Sequence, residues 1–104
     1  MNLLDHLQHW KDEKVRRFAA QGLSVSISPI LGDEKQARYC EVDSHALLSR
    51  ATLWEDGSLE LEALEVQSER TVLQASRVVA TPADLSDSLD EWVSQIAAYG
   101  SPRP

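Results

Sequence analysis

Apolar residues recur at helical spacing near both ends of the chain and at alternate positions between them. Leu3, Leu4, Leu7, Trp10, Val15 and Phe18 fall within a roughly 140° arc at 100° per residue, so residues 2–21 read as a helix. Lys11 and Lys14 lie inside that arc and are expected to snorkel at its edge. Asn2 can cap the start, and Gly22 stands where a left-handed residue would stop the helix. Leu23 to Ser28 then alternates strictly, a half-buried strand with a serine face that Pro29 ends. Ile30 to Gln36 reads as a polar loop. Ala37 to Val42 is a second strand, with Cys40 and Val42 inward and Tyr39 and Glu41 on the other face. Asp43-Ser44-His45 makes a turn. Leu47 to Glu55 and Ser58 to Val66 form a hairpin around Asp56-Gly57, among the strongest short-range hairpin signals. After a turn at Gln67 to Arg70, Thr71 to Val79 is a fifth strand with its Leu73 side inward. The last element is a helix. Thr81 caps it, Pro82 opens it, Asp84 follows three residues after the cap, and Leu85, Leu89, Trp92, Ile96 and Tyr99 form one stripe. Gly100 is expected to end it.

The order α-β-β-β-β-β-α, with short loops between strands, predicts an α+β fold. One domain would hold a five-stranded antiparallel β-meander, with the two amphipathic helices packed on one face. Its parts would be the first helix over 1–22, the sheet over 23–79, the second helix over 81–100 and a tail over 101–104. The other face of the sheet would stay open to water or to a partner. Two registers fit the hairpin. A two-residue loop pairs Trp54 with Leu59 and puts Trp54, Leu59 and Leu61 in the core, with Leu53, Glu60 and Glu62 outside. A three-residue loop with a bulge places Leu53 beside Leu59 instead. Burying the larger side chain favours the first. The apolar phase also shifts between Ala63 and Leu64, which predicts a bulge there.

Length and composition fit one globular domain: 104 residues, 42% hydrophobic and 26% charged. Ten basic against seventeen acidic residues give a net charge of −7. A field of that sign repels nucleic-acid phosphates and anionic lipid and attracts a basic protein. Cys40 is the one cysteine, which excludes an intramolecular disulfide and fits a reducing cytosol. Asp5 and Asp12 interrupt the N-terminal stretch, which holds no apolar run of seven or more residues, so no leader peptide is expected. No stretch approaches the roughly 20 apolar residues of a membrane span. The expected location is the cytoplasm.

Catalytic and metal chemistry find little support. His6 and His9 are three apart on a helix, as in a metal site, but no third His or Cys is close in sequence, and a solvated helix face explains them. Cys40 as a nucleophile would need His45 as its base, yet it lies mid-strand on an apolar face, where a small buried hydrophobe is expected. Ser24, Ser26 and Ser28 share a strand face with no nucleophile elbow. No phosphate loop, dinucleotide fingerprint or zinc spacing occurs. The expectation is therefore no enzyme, no cofactor and no metal.

The strongest chemical signal is charge. From Ala51 to Ser68 the chain carries Glu55, Asp56, Glu60, Glu62 and Glu65 and no Lys or Arg. A solvated face that protects the hairpin from edge aggregation would explain this. So would a docking surface for a basic partner, where acidic complementarity speeds association. On the second reading those five residues are the first expected contacts, followed by Glu41, Asp43 and Asp33.

The run TLWEDGSLELEALEV, followed by a polar turn, an apolar strand and an acidic amphipathic helix, resembles the small immunity proteins called TriTu. These overlap with the immunity proteins of contact-dependent growth inhibition systems. The residues matching a W-E-x-G hairpin are Trp54, Glu55 and Gly57, with Asp56 in the variable place. The resemblance spans roughly Ala46 to Ile96, and the first helix fits in pattern. It implies a non-enzymatic antitoxin that binds the toxic C-terminal domain of a large effector made by neighbouring cells. Many such domains are nucleases, including tRNases, with basic clefts. The implied partner is a basic cognate toxin domain, bound by a monomer in a 1:1 complex, with no direct contact to nucleic acid or membrane. The resemblance supplies no catalytic residues, and the contacts named above rest on charge placement alone. The composition also fits a different class, a small acidic secretion chaperone or adaptor that holds one client.

Overall fold

Local capping chemistry sets both helix starts. Asn2 Oδ1 accepts the Asp5 N–H, and Thr81 Oγ1 accepts the Asp84 N–H. Helix α1 runs Leu3–Ala20 and helix α2 Pro82–Ala98, and between them lie β1 (Ser24–Ile27), β2 (Ala37–Asp43), β3 (Leu47–Trp54), β4 (Ser58–Glu65) and β5 (Thr71–Val78). The computed structural model describes residues 2–99, so the expected stop at Gly100 and the 101–104 tail lie outside the described residues. The strands form one sheet in the order β1-β2-β3-β4-β5, each antiparallel to the next, as the short connections require. Gly22, at φ +77°, turns the chain out of α1 in the left-handed conformation expected of it.

One face of the sheet carries the core. Cys40, Val42, Leu47, Ala51, Leu53, Leu59, Leu61 and Ala63 from the strands join Leu4, Leu7, Trp10, Leu85, Leu89, Trp92 and Ile96 from the helices in a single buried cluster. Small residues hold the middle of that face: Ser49, Ala51, Ala63 and Ala75. Bulky side chains from the helices, including two fully buried indoles, fill the space above them. Helix α1 is tied to α2 by Trp10 Nε1–H donating to Asp90 Oδ1 at 3.0 Å and by His6 Nε2 and Ser86 Oγ at 2.8 Å.

Three details differ from the expected pattern. Val15 is exposed on α1 and Val93 is buried on α2, because the contact stripe of each helix is set by where the other helix and the sheet lie. Ser28 leaves the serine face. β1 ends at Ile27, and Ser28 turns inward to accept the Tyr39 N–H and donate to the Pro29 carbonyl. The third difference is the hairpin register. Leu53, not Trp54, lies inward and faces Leu59. The loop therefore has three residues, Glu55-Asp56-Gly57, with Gly57 at φ +93° in the left-handed place of a bulged turn. Size did not decide the choice. Gly57 donates to the Trp54 carbonyl and accepts from the Val79 N–H, which pins the turn to the end of β5. The inner face is already filled by Trp10 and Trp92, and an indole tolerates a half-exposed place on the outer face.

The expected bulge is present. The β4–β5 register shifts between Ala63 and Leu64, and the extra residue is Val72 on β5. The five-residue loop that precedes β5 closes through Glu69, the one described non-glycine residue with positive φ, at 59°.

Candidate partner-binding face

The helices leave the second face of the sheet uncovered, and strand alternation decides what it displays. Cross-strand pairing arranges its side chains in rows. One row reads Tyr39, Thr52, Glu60, Ser76. The next reads Glu41, Arg50, Glu62, Gln74, and a third Asp43, Leu48, Leu64, Thr71. Trp54, Ser58 and Val78 lie at the hairpin end of the same face. Four carboxylates therefore share this surface with Arg50, the single basic strand residue on it.

The carboxylates are not equivalent. Arg50 Nη2 approaches Glu41 Oε2 at 3.3 Å, and its guanidinium lies 4.3 Å from the centroid of the Tyr39 ring. Ser76 Oγ–H is shared between the two Glu60 oxygens, at 2.7 and 2.9 Å. Asp43 Oδ1 accepts the Ser49 N–H at 3.2 Å. Glu62 makes no hydrogen bond or ion pair with any described residue, although Arg50 stands opposite it in the register.

The other expected contacts lie elsewhere. Glu55 and Asp56 occupy the hairpin tip, beside the loop that carries Asp33. Glu55 Oε1 accepts the Gln36 N–H at 3.0 Å. Asp56 accepts the Ser58 N–H at 2.9 Å and pairs with Lys35 Nζ at 2.9 Å. The Ser58 N–H first, and then Lys35, hold the Asp56 carboxyl down at about 2. Asp33 is exposed. Glu65 stands at the far end of β4 with its side chain on the helix side. There it accepts hydrogen bonds from Ser68 Oγ and the Tyr99 hydroxyl, and these lower its pKa in that order. Its role in the fold is to tie the end of α2 to the sheet. The structure thus gathers Glu41, Asp43, Glu60 and Glu62 on one face, puts Asp33, Glu55 and Asp56 at one end, and sets Glu65 apart.

Residues that charge counting missed share the open face: Tyr39, Leu48, Arg50, Trp54 and Leu64. Arg50 falls one position before the base-free stretch, so only the register places it among the acids. His6, expected on a solvated helix face, is instead half-buried at the contact with Ser86 of α2. His9 pairs with Glu13 on the α1 surface, and no cluster of metal-ligating side chains occurs among the described residues. Cys40 is fully buried, and desolvation pushes its thiol up to about 12. No helix among the described residues is long and apolar enough to cross a membrane.

A sheet covered on one side, with an uncovered and mainly acidic surface on the other, defines a small α+β protein built around a binding face. The family model of the immunity protein TriTu matches residues 5–95, and the chain belongs to that family. The match covers α1 from its first turn, all five strands and most of α2. A search of curated proteins gives no match. Membership gives the protein an immunity role, and with it the binding of a cognate toxin protein.

Proposed function

We propose that the protein inhibits, by stoichiometric binding and without turnover of its own, the C-terminal toxin domain of a contact-dependent growth inhibition or related polymorphic toxin system. The toxin is a nuclease, most simply a tRNase, and the complex forms 1:1 from a monomeric immunity protein in the cytoplasm. The observation that carries this reading is the open sheet face, where four carboxylates meet one base on a chain of net charge −7. A nuclease must hold phosphates with a basic cleft. An acidic surface of this kind competes for the same cations and steers the encounter at long range.

Co-expression with the C-terminal domain encoded by the adjacent toxin-sized reading frame is the direct test. Cells should survive only when the immunity protein is present, and the purified pair should titrate at 1:1 by calorimetry. Rescue by substoichiometric protein would mean turnover. No rescue and no co-purification would remove the reading. A toxin without nuclease activity would remove its nuclease part.

A further inference from the structure

The open face is not flat. A depression of about 270 Å³ lies over β3 and β4, with Leu48 and Leu64 on one side and Arg50 and Glu62 on the other. The register explains the square: Leu48 is paired with Leu64 and Arg50 with Glu62, and all four side chains point to the same face. The direction of Arg50 explains the opening. Its guanidinium leans across to β2, held by Glu41 at 3.3 Å and by the Tyr39 ring at 4.3 Å, and so turns away from β4. Glu62 is left with no charged or hydrogen-bonding partner among the described residues. Beside it stands an apolar wall: Leu48 is 50% exposed, an unusual position for a leucine in mid-sheet.

We infer that this depression is the seat of a single cationic side chain, an arginine or lysine of the bound toxin domain. The aliphatic stem of that side chain lies against Leu48 and Leu64, and its charged head meets the carboxylate of Glu62. The inference rests on reading the open face as the toxin-binding surface, and it adds one anchoring point and its chemistry. A purely apolar anchor would leave the Glu62 carboxylate desolvated without a partner, which is costly. A small cation alone would leave Leu48 and Leu64 exposed. Arginine and lysine combine both properties. Arg50 cannot fill the place itself while Glu41 and Tyr39 hold it. Glu60, its carboxylate already bound by Ser76, is a natural control on the same strand and face.

The test compares Glu62→Gln, Glu60→Gln and Leu48→Ala, each correctly folded by circular dichroism. The probe is a catalytically inactive form of the toxin domain encoded beside the immunity gene, and the readout is affinity by calorimetry. Glu62→Gln should weaken binding by at least about tenfold and Glu60→Gln by less than about threefold. Replacing one Arg or Lys of the toxin with Met should weaken binding equally, and the loss should not add to that of Glu62→Gln. Equal small losses for Glu60→Gln and Glu62→Gln, with a large loss for Trp54→Ala or Tyr39→Ala, would overturn the anchor and keep the open face as the interface. No loss for any of these variants would overturn both. Concentration-dependent dimerisation of the free protein that Glu62→Gln abolishes would assign the depression to a second copy and also overturn the inference.

Discussion

Leu53 lies directly opposite Leu59 across the β3–β4 hairpin, and this pairing decides which face of β3 is core. With side chains alternating, Leu53 at 0% exposure forces Trp54 to the open face. Stability and binding should therefore separate at adjacent positions. Leu53→Ala should cost about 2–5 kcal/mol in urea unfolding, the range for a truncated core leucine. Trp54→Ala should cost clearly less stability and act on toxin binding instead. The opposite order would mean the two-residue loop.

Gly57 holds that register in place. Its φ is +93°, and a Cβ at this position would lie 2.3 Å from the Val79 carbonyl oxygen. Neither the turn nor the start of α2 can shift freely, since Val79 N–H is bonded to the Gly57 carbonyl. Gly57→Ala should destabilise by more than about 2 kcal/mol, through steric overlap added to the left-handed penalty. Gly22 also has positive φ, but nothing lies within 4 Å of its missing Cβ. Gly22→Ala should cost only the backbone term, about 1 kcal/mol. Parallel chemical denaturation of the two variants checks the contrast.

The local half of this architecture is legible in the sequence, and the long-range half is not. Asn2, Gly22, Thr81 and Pro82 mark helix ends through contacts within a few residues, so their chemistry can be read in order along the chain. Strand alternation likewise shows Cys40 and Val42 as inward residues and Glu60 and Glu62 as outward ones. The register at Gly57 depends on Val79 and on a core already occupied by two indoles, neither of which a window around the turn contains. Glu65 shows the same limit. It counts as one of five acids in a base-free run, but its partner Tyr99 is 34 positions away and pulls it to the helix side. Arg50 lies outside the run and becomes a neighbour of Glu41 and Glu62 only through the ladder.

Asp56 predicts a pH dependence at the hairpin tip. Its pKa is lowered from an ordinary 3.8 to about 2, first by the Ser58 N–H and then by Lys35. Depression in the folded state means that the ionised form is favoured by folding. Its stabilising contribution is complete above about pH 4 and is lost as pH falls through 2. Asp56→Asn should flatten the acid limb of stability between those values, as measured by thermal unfolding at a series of pH values. Glu65 shifts in the same direction, so the Asp56→Asn protein should keep part of its acid sensitivity.

Cys40 should behave as an inert side chain. Full burial and a thiol pushed up to about 12 leave almost no thiolate at neutral pH. A thiol reagent such as iodoacetamide should fail to label the folded protein over hours and label it rapidly in urea. Fast labelling of the native form would mean that β2 opens readily, since α1 packs over its inner face.

Charge reversal should separate the acids that share the open face from the one that does not. Glu60 and Glu62 lie on neighbouring rows and point to solvent, so Glu60→Lys with Glu62→Lys should leave the fold intact. If the toxin docks there, the double reversal should weaken binding well over tenfold, because close interfacial charge pairs couple by roughly 1.5–7 kcal/mol. The loss should shrink as salt is raised, by screening of the encounter. Glu65→Gln should do the reverse. It should leave toxin affinity near that of the native protein and loosen the last turn of α2, which Tyr99 ties to β4, and hydrogen exchange of the amides from Gln95 to Tyr99 would report this. Loss of affinity in Glu65→Gln with none in the double reversal would move the interface from the open sheet face to the end of the sheet where α2 is tethered.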